Sequence, residues 1–183
     1  MSAPALRFHF STSLSRGAFA LVLSVVGTTD ASAQLIDTYA GRGPYIAPIA
    51  ASAANVTPWP IALAPSGSVY FAEHNSVYRY DPKAATVTTV AGNHTNGYSG
   101  DTGPATNAQI GPASGLALDS SGNLYIADFQ HCVVRKVTPS GIISTFAGNG
   151  VCGVSGDGSL AVNAQLSYPY YLHVDATGNL LIA

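Results

Sequence analysis

Residues 115–150 read GLALDSSGNLYIADFQHCVVRKVTPSGIISTFAGNG, and the segments on either side are incomplete copies of this stretch. Leu116, Ala117 and Leu118 form a short apolar run, followed by turn chemistry in Ser120, Ser121, Gly122 and Asn123. A second apolar run covers 124–127, a third covers 133–137 with Arg135 and Lys136 interrupting it, and a fourth covers 142–147. Four short runs rich in Val, Ile, Leu, Tyr and Phe, punctuated by Gly, Pro, Ser and Asn, predict a four-stranded antiparallel meander. None of the runs is long enough to predict a helix.

The repetition is direct. Asp119 returns as Asp175 and Gly122-Asn123-Leu124 as Gly178-Asn179-Leu180, both with an offset of 56. One step earlier, Ile61-Ala62-Leu63 and Gly67 precede Leu116-Ala117-Leu118 and Gly122 by 55. The phrase Thr89-Val90-Ala91-Gly92-Asn93 returns as Thr145-Phe146-Ala147-Gly148-Asn149, and Thr38-Tyr39-Ala40-Gly41 is an earlier echo. A long repeat of four strands predicts an all-β chain built as a β-propeller, each unit a blade whose apolar faces are covered by its neighbours. On this reading 34–60 is a strand and connector, 61–92 the first blade, 93–114 a connector, 115–150 the second blade, and 151–183 a connector with a truncated third blade.

Gly-Asn-Leu-Tyr-Ile-Ala-Asp at 122–128, then a short loop and Val-Val-Arg-Lys-Val at 133–137, resembles the NHL repeat. The connector GYSGDTGPATNAQI at 97–110, echoed at 153–166, is similar to that of long-period secreted bacterial NHL proteins. The resemblance covers about 36–183. It implies a propeller, six-bladed in the full-length relative, and leaves function open because propellers host binding, scaffolding and unrelated chemistries. Asp128-Phe129-Gln130-His131 stands where the family has an Asn-His pair, and the earlier blade has Glu73-His74-Asn75.

The segment 1–33 reads as a secretory signal peptide. Arg7 and Arg16 give a positive start, GAFALVLSVVG at 17–27 is an apolar core shorter than the ~20 residues of a membrane span, and Ala31-Ser32-Ala33 is a small-residue cleavage site. The remainder carries five cationic and eight acidic residues without a basic cluster. It therefore predicts no nucleic-acid partner and no attraction to an anionic membrane surface, and no membrane span is expected after signal cleavage. Charged residues make up 9% of the chain, against ~25% in ordinary soluble domains, so Ser, Thr, Asn and Gly must supply surface polarity. A secreted, periplasmic or cell-surface location follows.

Glu73 and Asp128 end equivalent second strands. Two carboxylates so placed could face a channel and bind a cation, as in the related six-bladed calcium-dependent lactonases. The structural alternative, favoured on the residues, is that each accepts hydrogen bonds from the turn after its strand. The Ser-Gly-Asp segments ending at Asp101 and Asp157 lack the alternating acids and terminal Glu of an EF-hand and predict side-chain-capped turns against the rim. Trp59 predicts packing more than ligand stacking. Asn55 and Asn93 fit a glycosylation acceptor pattern that has no meaning in a bacterial host. If the third and fourth strands form a hairpin about 139–141, Cys132 lies opposite Asn149, three positions from Cys152, so a structural Cys132–Cys152 disulfide is expected. His74, His94, His131 and His173 have no recognisable nucleophile partner, and no catalytic constellation emerges.

The expectation is a fragment holding two to three blades of a secreted propeller that binds or scaffolds a protein, an extracellular carbohydrate or another small ligand, with no cofactor unless calcium. The alternative is a metal-dependent hydrolase or lyase using Glu73 and Asp128. A sensor domain fused to further sequence is a third possibility.

Overall fold

A computed structural model describes residues 59–183 fully and, before them, the backbone of Ile49–Ala50. The signal peptide, most of the 34–60 segment and the Asn55 acceptor site lie outside the described residues. The elements in order are β1 (Ile49–Ala50), β2 (Ile61–Leu63), β3 (Val69–Glu73), β4 (Ser76–Asp81), β5 (Thr86–Ala91), β6 (Ala113–Leu118), β7 (Leu124–Asp128), β8 (Val133–Val137), β9 (Ile143–Ala147), β10 (Leu172–Val174) and β11 (Leu180–Ile182). Short 3-10 turns at Ala105–Asn107 and Ala161–Asn163 are the helical elements among the described residues. The chain is all-β, as its repeat predicts.

The strands form three antiparallel sheets: β1-β5-β4-β3-β2, β6-β7-β8-β9 and β10-β11. Consecutive strands pair throughout each meander. The inner strand β6 lies against both β2 and β10, so successive sheets pack edge-inward about one side. These are propeller blades, two with four meandering strands and one represented by its inner pair.

The connector before each of the first two blades also runs antiparallel to that blade's outer strand. Ile49 pairs with Val87, and Pro104 bridges Ile142; both partners are shifted by 55. The repeat therefore includes the connector as well as the strands.

The recurrent Ala-Gly-Asn phrase has a structural cause. Ala91 and Ala147 are buried, and Gly92 and Gly148 each take φ 87°. A Cβ at Gly148 would lie 2.9 Å from Val133 Cα, and one at Gly92 would lie 2.8 Å from Ser76 Cα, so no side chain fits either place. The following asparagines then staple the connectors. Asn93 N donates to Ala108 O and Asn149 N to Ala164 O, each at 2.9 Å. Their Nδ2 groups donate to the carbonyls of Asn107 and Asn163.

Between the first two blades the core gathers Ala72, Val77, Ala91, Ile110, Leu116, Leu124, Ile126 and Ile143. Between the second and third it gathers Ala117, Tyr125, Val134 and Ala147 with Leu166, Leu172 and Ile182. Each blade thus buries an apolar face on the next, the arrangement that a single sheet cannot achieve alone.

Candidate ligand-binding face

Antiparallel order places the β3–β4 turn, the β7–β8 turn and the starts of the inner strands at one end of the sheets, where Asn96 and Gly111 of the connector also reach the β7–β8 turn. The β3–β4 turn has two residues, His74 and Asn75, because Glu73 pairs directly with Ser76. The β7–β8 turn has four, from Phe129 to Cys132, because Asp128 pairs with Val133. The longer turn carries the chemistry.

Asp128 is fully buried. Its Oδ2 accepts from Gly111 N at 2.7 Å, and its Oδ1 accepts from His131 N at 3.1 Å and lies 2.9 Å from His131 Nδ1. A Cβ at Gly111 would collide with this carboxylate and stand 2.8 Å from His131 Nδ1, which explains the glycine there. With Nδ1 turned to the Asp128 carboxylate, Nε2 is the ring nitrogen left for outside contacts. The imidazole is about a quarter exposed and stacks on Tyr98, with ring centroids 5.9 Å apart.

Cys132 and Cys152 form a disulfide with Cα atoms 5.2 Å apart. The register of β8 on β9, Arg135 opposite Thr145 and Val137 opposite Ile143, is the one the hairpin spacing predicts. The bridge ties the 129–132 turn to the connector that leaves β9.

Beside this turn lies an aromatic cluster. Phe129 is 5.1 Å from Tyr168 and 6.0 Å, edge-on, from Tyr170, which in turn meets Tyr171 at 5.0 Å. Phe129, Tyr168 and Tyr170 are 37%, 53% and 40% exposed. Ser114 Oγ holds the segment in place by donating to Pro169 O at 2.7 Å. Asn96 Nδ2 donates to Gln130 Oε1 at 2.8 Å on the same turn. Trp59 occupies in the first blade the position of Tyr170 in the third, two residues before the inner strand. Instead of packing, as expected, it is 60% exposed.

Glu73 occupies in β3 the place of Asp128 in β7 and is half-buried. Among the described residues, no three His, Cys, Asp or Glu side chains gather closely enough to hold a metal ion. His94 turns elsewhere, with Nδ1 3.0 Å from Ser76 Oγ, and His173 is exposed on β10.

Asp101, expected to cap its own turn, instead reaches across to the second blade. Its carboxylate accepts from Thr145 N at 3.0 Å and pairs with the fully buried Arg135, whose Nη2 also donates to Ser99 O at 3.2 Å. The guanidinium lies 5.0 Å from the centre of the Tyr98 ring. Burial pushes the Asp101 carboxyl up, but the hydrogen bonds from Thr145 and the Arg135 charge outweigh it and hold the group below its ordinary value. The Gly-Tyr-Ser-Gly-Asp connector is thereby locked onto the second blade. In its later copy Val154 replaces Tyr98 and is largely exposed.

Sequence reasoning isolated Asp128 and the cysteines but missed the pairing of Asp128 with His131 and the gathering of Phe129 with Tyr168 and Tyr170. The spacing of Asp128 and His131 within one turn carried the first signal. The second arises only when the connector after β9 folds back over the β7–β8 turn, a contact far apart in sequence.

No family model matches the sequence, and no curated protein is detectably similar to it. Solved structures are. A Bacteroides thetaiotaomicron protein of unknown function superposes with a TM-score of 0.56 at 26% identity, covering 64% of this chain and 30% of that one. An auxiliary nutrient-binding protein from the same organism gives a TM-score of 0.54 at 23% identity, covering 67% and 33%. The shared fold is the β-propeller. Virginiamycin B lyase from Staphylococcus aureus also aligns, with a TM-score of 0.47 at 16% identity over 81% of this chain and 38% of its own. The chain spans roughly a third of the length of the structures it matches.

Proposed function

We propose that this chain is part of a secreted NHL-type propeller whose turn end binds a neutral, hydroxyl-rich ligand, an extracellular oligosaccharide. The observation that carries the proposal is the exposed cluster of Phe129, Tyr168 and Tyr170 beside the Asn96–Gln130 pair. Aromatic rings offer apolar faces at low entropic cost, and amides and phenol hydroxyls supply directional hydrogen bonds. Among the described residues no cluster of charge accompanies them, which suits an uncharged partner. The disulfide fits an oxidising compartment, in keeping with the leader-like segment 1–33. Among the described residues no helix is long and apolar enough to cross a membrane. The nutrient-binding neighbour lends the role its class.

The test is calorimetric titration with a panel of neutral oligosaccharides. At least one should bind, and Phe129→Ala or Tyr168→Ala should each weaken it about three- to tenfold, the worth of one aromatic contact. Failure of every glycan to bind, or binding indifferent to both substitutions, would sink the proposal.

A second reading rests on Asp128 and His131. A buried carboxylate orienting a partly exposed imidazole is the arrangement of a general base, as a hydrolase or lyase would need. In its metal-dependent form Glu73 and Asp128 would bind calcium, although both Asp128 oxygens already accept hydrogen bonds. Stoichiometric calcium binding lost in Asp128→Asn would favour the enzyme; no calcium uptake would count against that form.

A further inference from the structure

At the opposite end of the sheets, between the first and second blades, lies a cleft of about 360 Å³. Tyr70, Arg79 and Val90 line it from the first blade, Thr106 from the connector, and Thr138 and Ser140 from the β8–β9 turn. Its origin is legible from the repeat. Strand register equates Tyr70 with Tyr125, Arg79 with Lys136 and Val90 with Phe146.

In the second blade the cation is accommodated by its own sheet. Lys136 Nζ lies 5.7 Å from the Tyr125 ring centre and 6.0 Å from that of Phe146. The Tyr125 hydroxyl in turn donates to Asp119 at 3.2 Å. In the first blade Val90 removes the second ring, and Ala64 stands where Asp119 stands. The cation and the first ring, Tyr70, are retained while the second ring and the carboxylate that binds the first ring's hydroxyl are lost, and the vacated space opens onto the facing turn.

Arg79 shows the consequence. Its Nε is buried and has no hydrogen-bond partner. The nearby Asp81 spends Oδ1 on the N–H groups of Lys83 and Ala84, at 2.9 and 3.2 Å. Across the cleft the Thr138 and Ser140 hydroxyls lie 2.8 Å apart, forming a polar wall.

We infer that this interblade cleft is a second ligand site, in which Arg79 clamps the carboxylate of a small hydroxylated acid such as a sugar acid and the Thr138–Ser140 wall meets its hydroxyls. A guanidinium presents two parallel donors to a carboxylate, and the volume suits a single sugar-sized ring. The cleft lies at the other end of the blades from Phe129 and Tyr168, so its occupancy is independent of the aromatic face.

Sodium glucuronate is the probe, titrated into the full chain by calorimetry, with glucose and inorganic phosphate run in parallel. Glucuronate should bind and glucose should not. Arg79→Gln should weaken glucuronate about tenfold or more, the worth of a charge-assisted pair. Val90→Phe, which restores the ring found in the second blade, should close the cleft with a similar loss while keeping Arg79. Phe129→Ala should leave glucuronate binding unchanged. Absence of glucuronate binding, equal binding of glucose, or affinity indifferent to Arg79→Gln and Val90→Phe would overturn the inference. Phosphate binding in place of glucuronate would overturn the sugar-acid assignment.

Discussion

Arg135→Met removes the cation that fastens the 93–110 connector to the second blade. The native guanidinium is fully buried, donates to Ser99 O at 3.2 Å, pairs with Asp101 and stacks on Tyr98. A charge-assisted bond to a carbonyl contributes ~1.5 kcal/mol or more, and a cation over a ring ~0.5–1 kcal/mol. Asp101 is 44% exposed, so its half of the ion pair is screened and regains water when Arg135 is gone. The buried, unpartnered Nε of Arg135 is relieved at the same time, which offsets part of the loss. The expected net destabilisation is about 2 kcal/mol. With a urea slope of ~2 kcal/mol/M for a chain of this size, the midpoint should fall by about 1 M. Asp101→Asn should cost clearly less in the Arg135→Met background than alone, because the two groups act on each other. The pH dependence has a fixed sign. The carboxyl of Asp101 is held below its ordinary value, so its stabilisation is complete above about pH 4 and fades as pH falls through the depressed value. That acid-side loss should shrink in Arg135→Met. An unchanged midpoint, or additive effects of the two substitutions, would refute the assignment of Arg135 as the connector's anchor.

Replacing Cys132 and Cys152 together with Ala should destabilise by about 3 kcal/mol, the chain-entropy value for a loop of this 20-residue separation, and should make the melting temperature indifferent to reductant. Gly148→Ala and Gly141→Ala share a positive φ, but only the first forces a Cβ against backbone, so urea melts should show a loss of ~1 kcal/mol at Gly141 and at least twice that at Gly148. Asp119→Ala should cost ~1 kcal/mol or more, because its carboxylate accepts from Ser121 N, Asn123 N and the Asn123 amide. Burial raises that carboxyl, but those bonds prevail and lower it, so the cost should be full near neutrality and vanish in acid.

The strands were legible because four apolar runs alternate with Gly, Pro and Asn, and because offsets of 55 and 56 tie each run to a counterpart. The blade-to-blade packing followed, since Ile126, Val134 and Ile143 can be buried only against a neighbouring sheet. That Asp128 accepts from its own turn could be read from the residues, while its bond to Gly111 depended on where the connector ends. Trp59 misled because an isolated tryptophan ordinarily packs, whereas here it is exposed. The aromatic cluster escaped because it needs the connector after β9 to fold back over a β7–β8 turn two residues longer than its counterpart, and the Arg79 cleft because a valine there replaces a phenylalanine, while a repeat makes legible only what recurs.

Hydrogen exchange of the full chain, with and without a bound neutral oligosaccharide, tests ligand binding at the turn end most directly. Protection should rise in peptides covering 128–133 and 167–171, with none around 138–142 at the other end of the blades. Protection confined to the 138–142 end, or absent from 128–133 under saturating ligand, would contradict it.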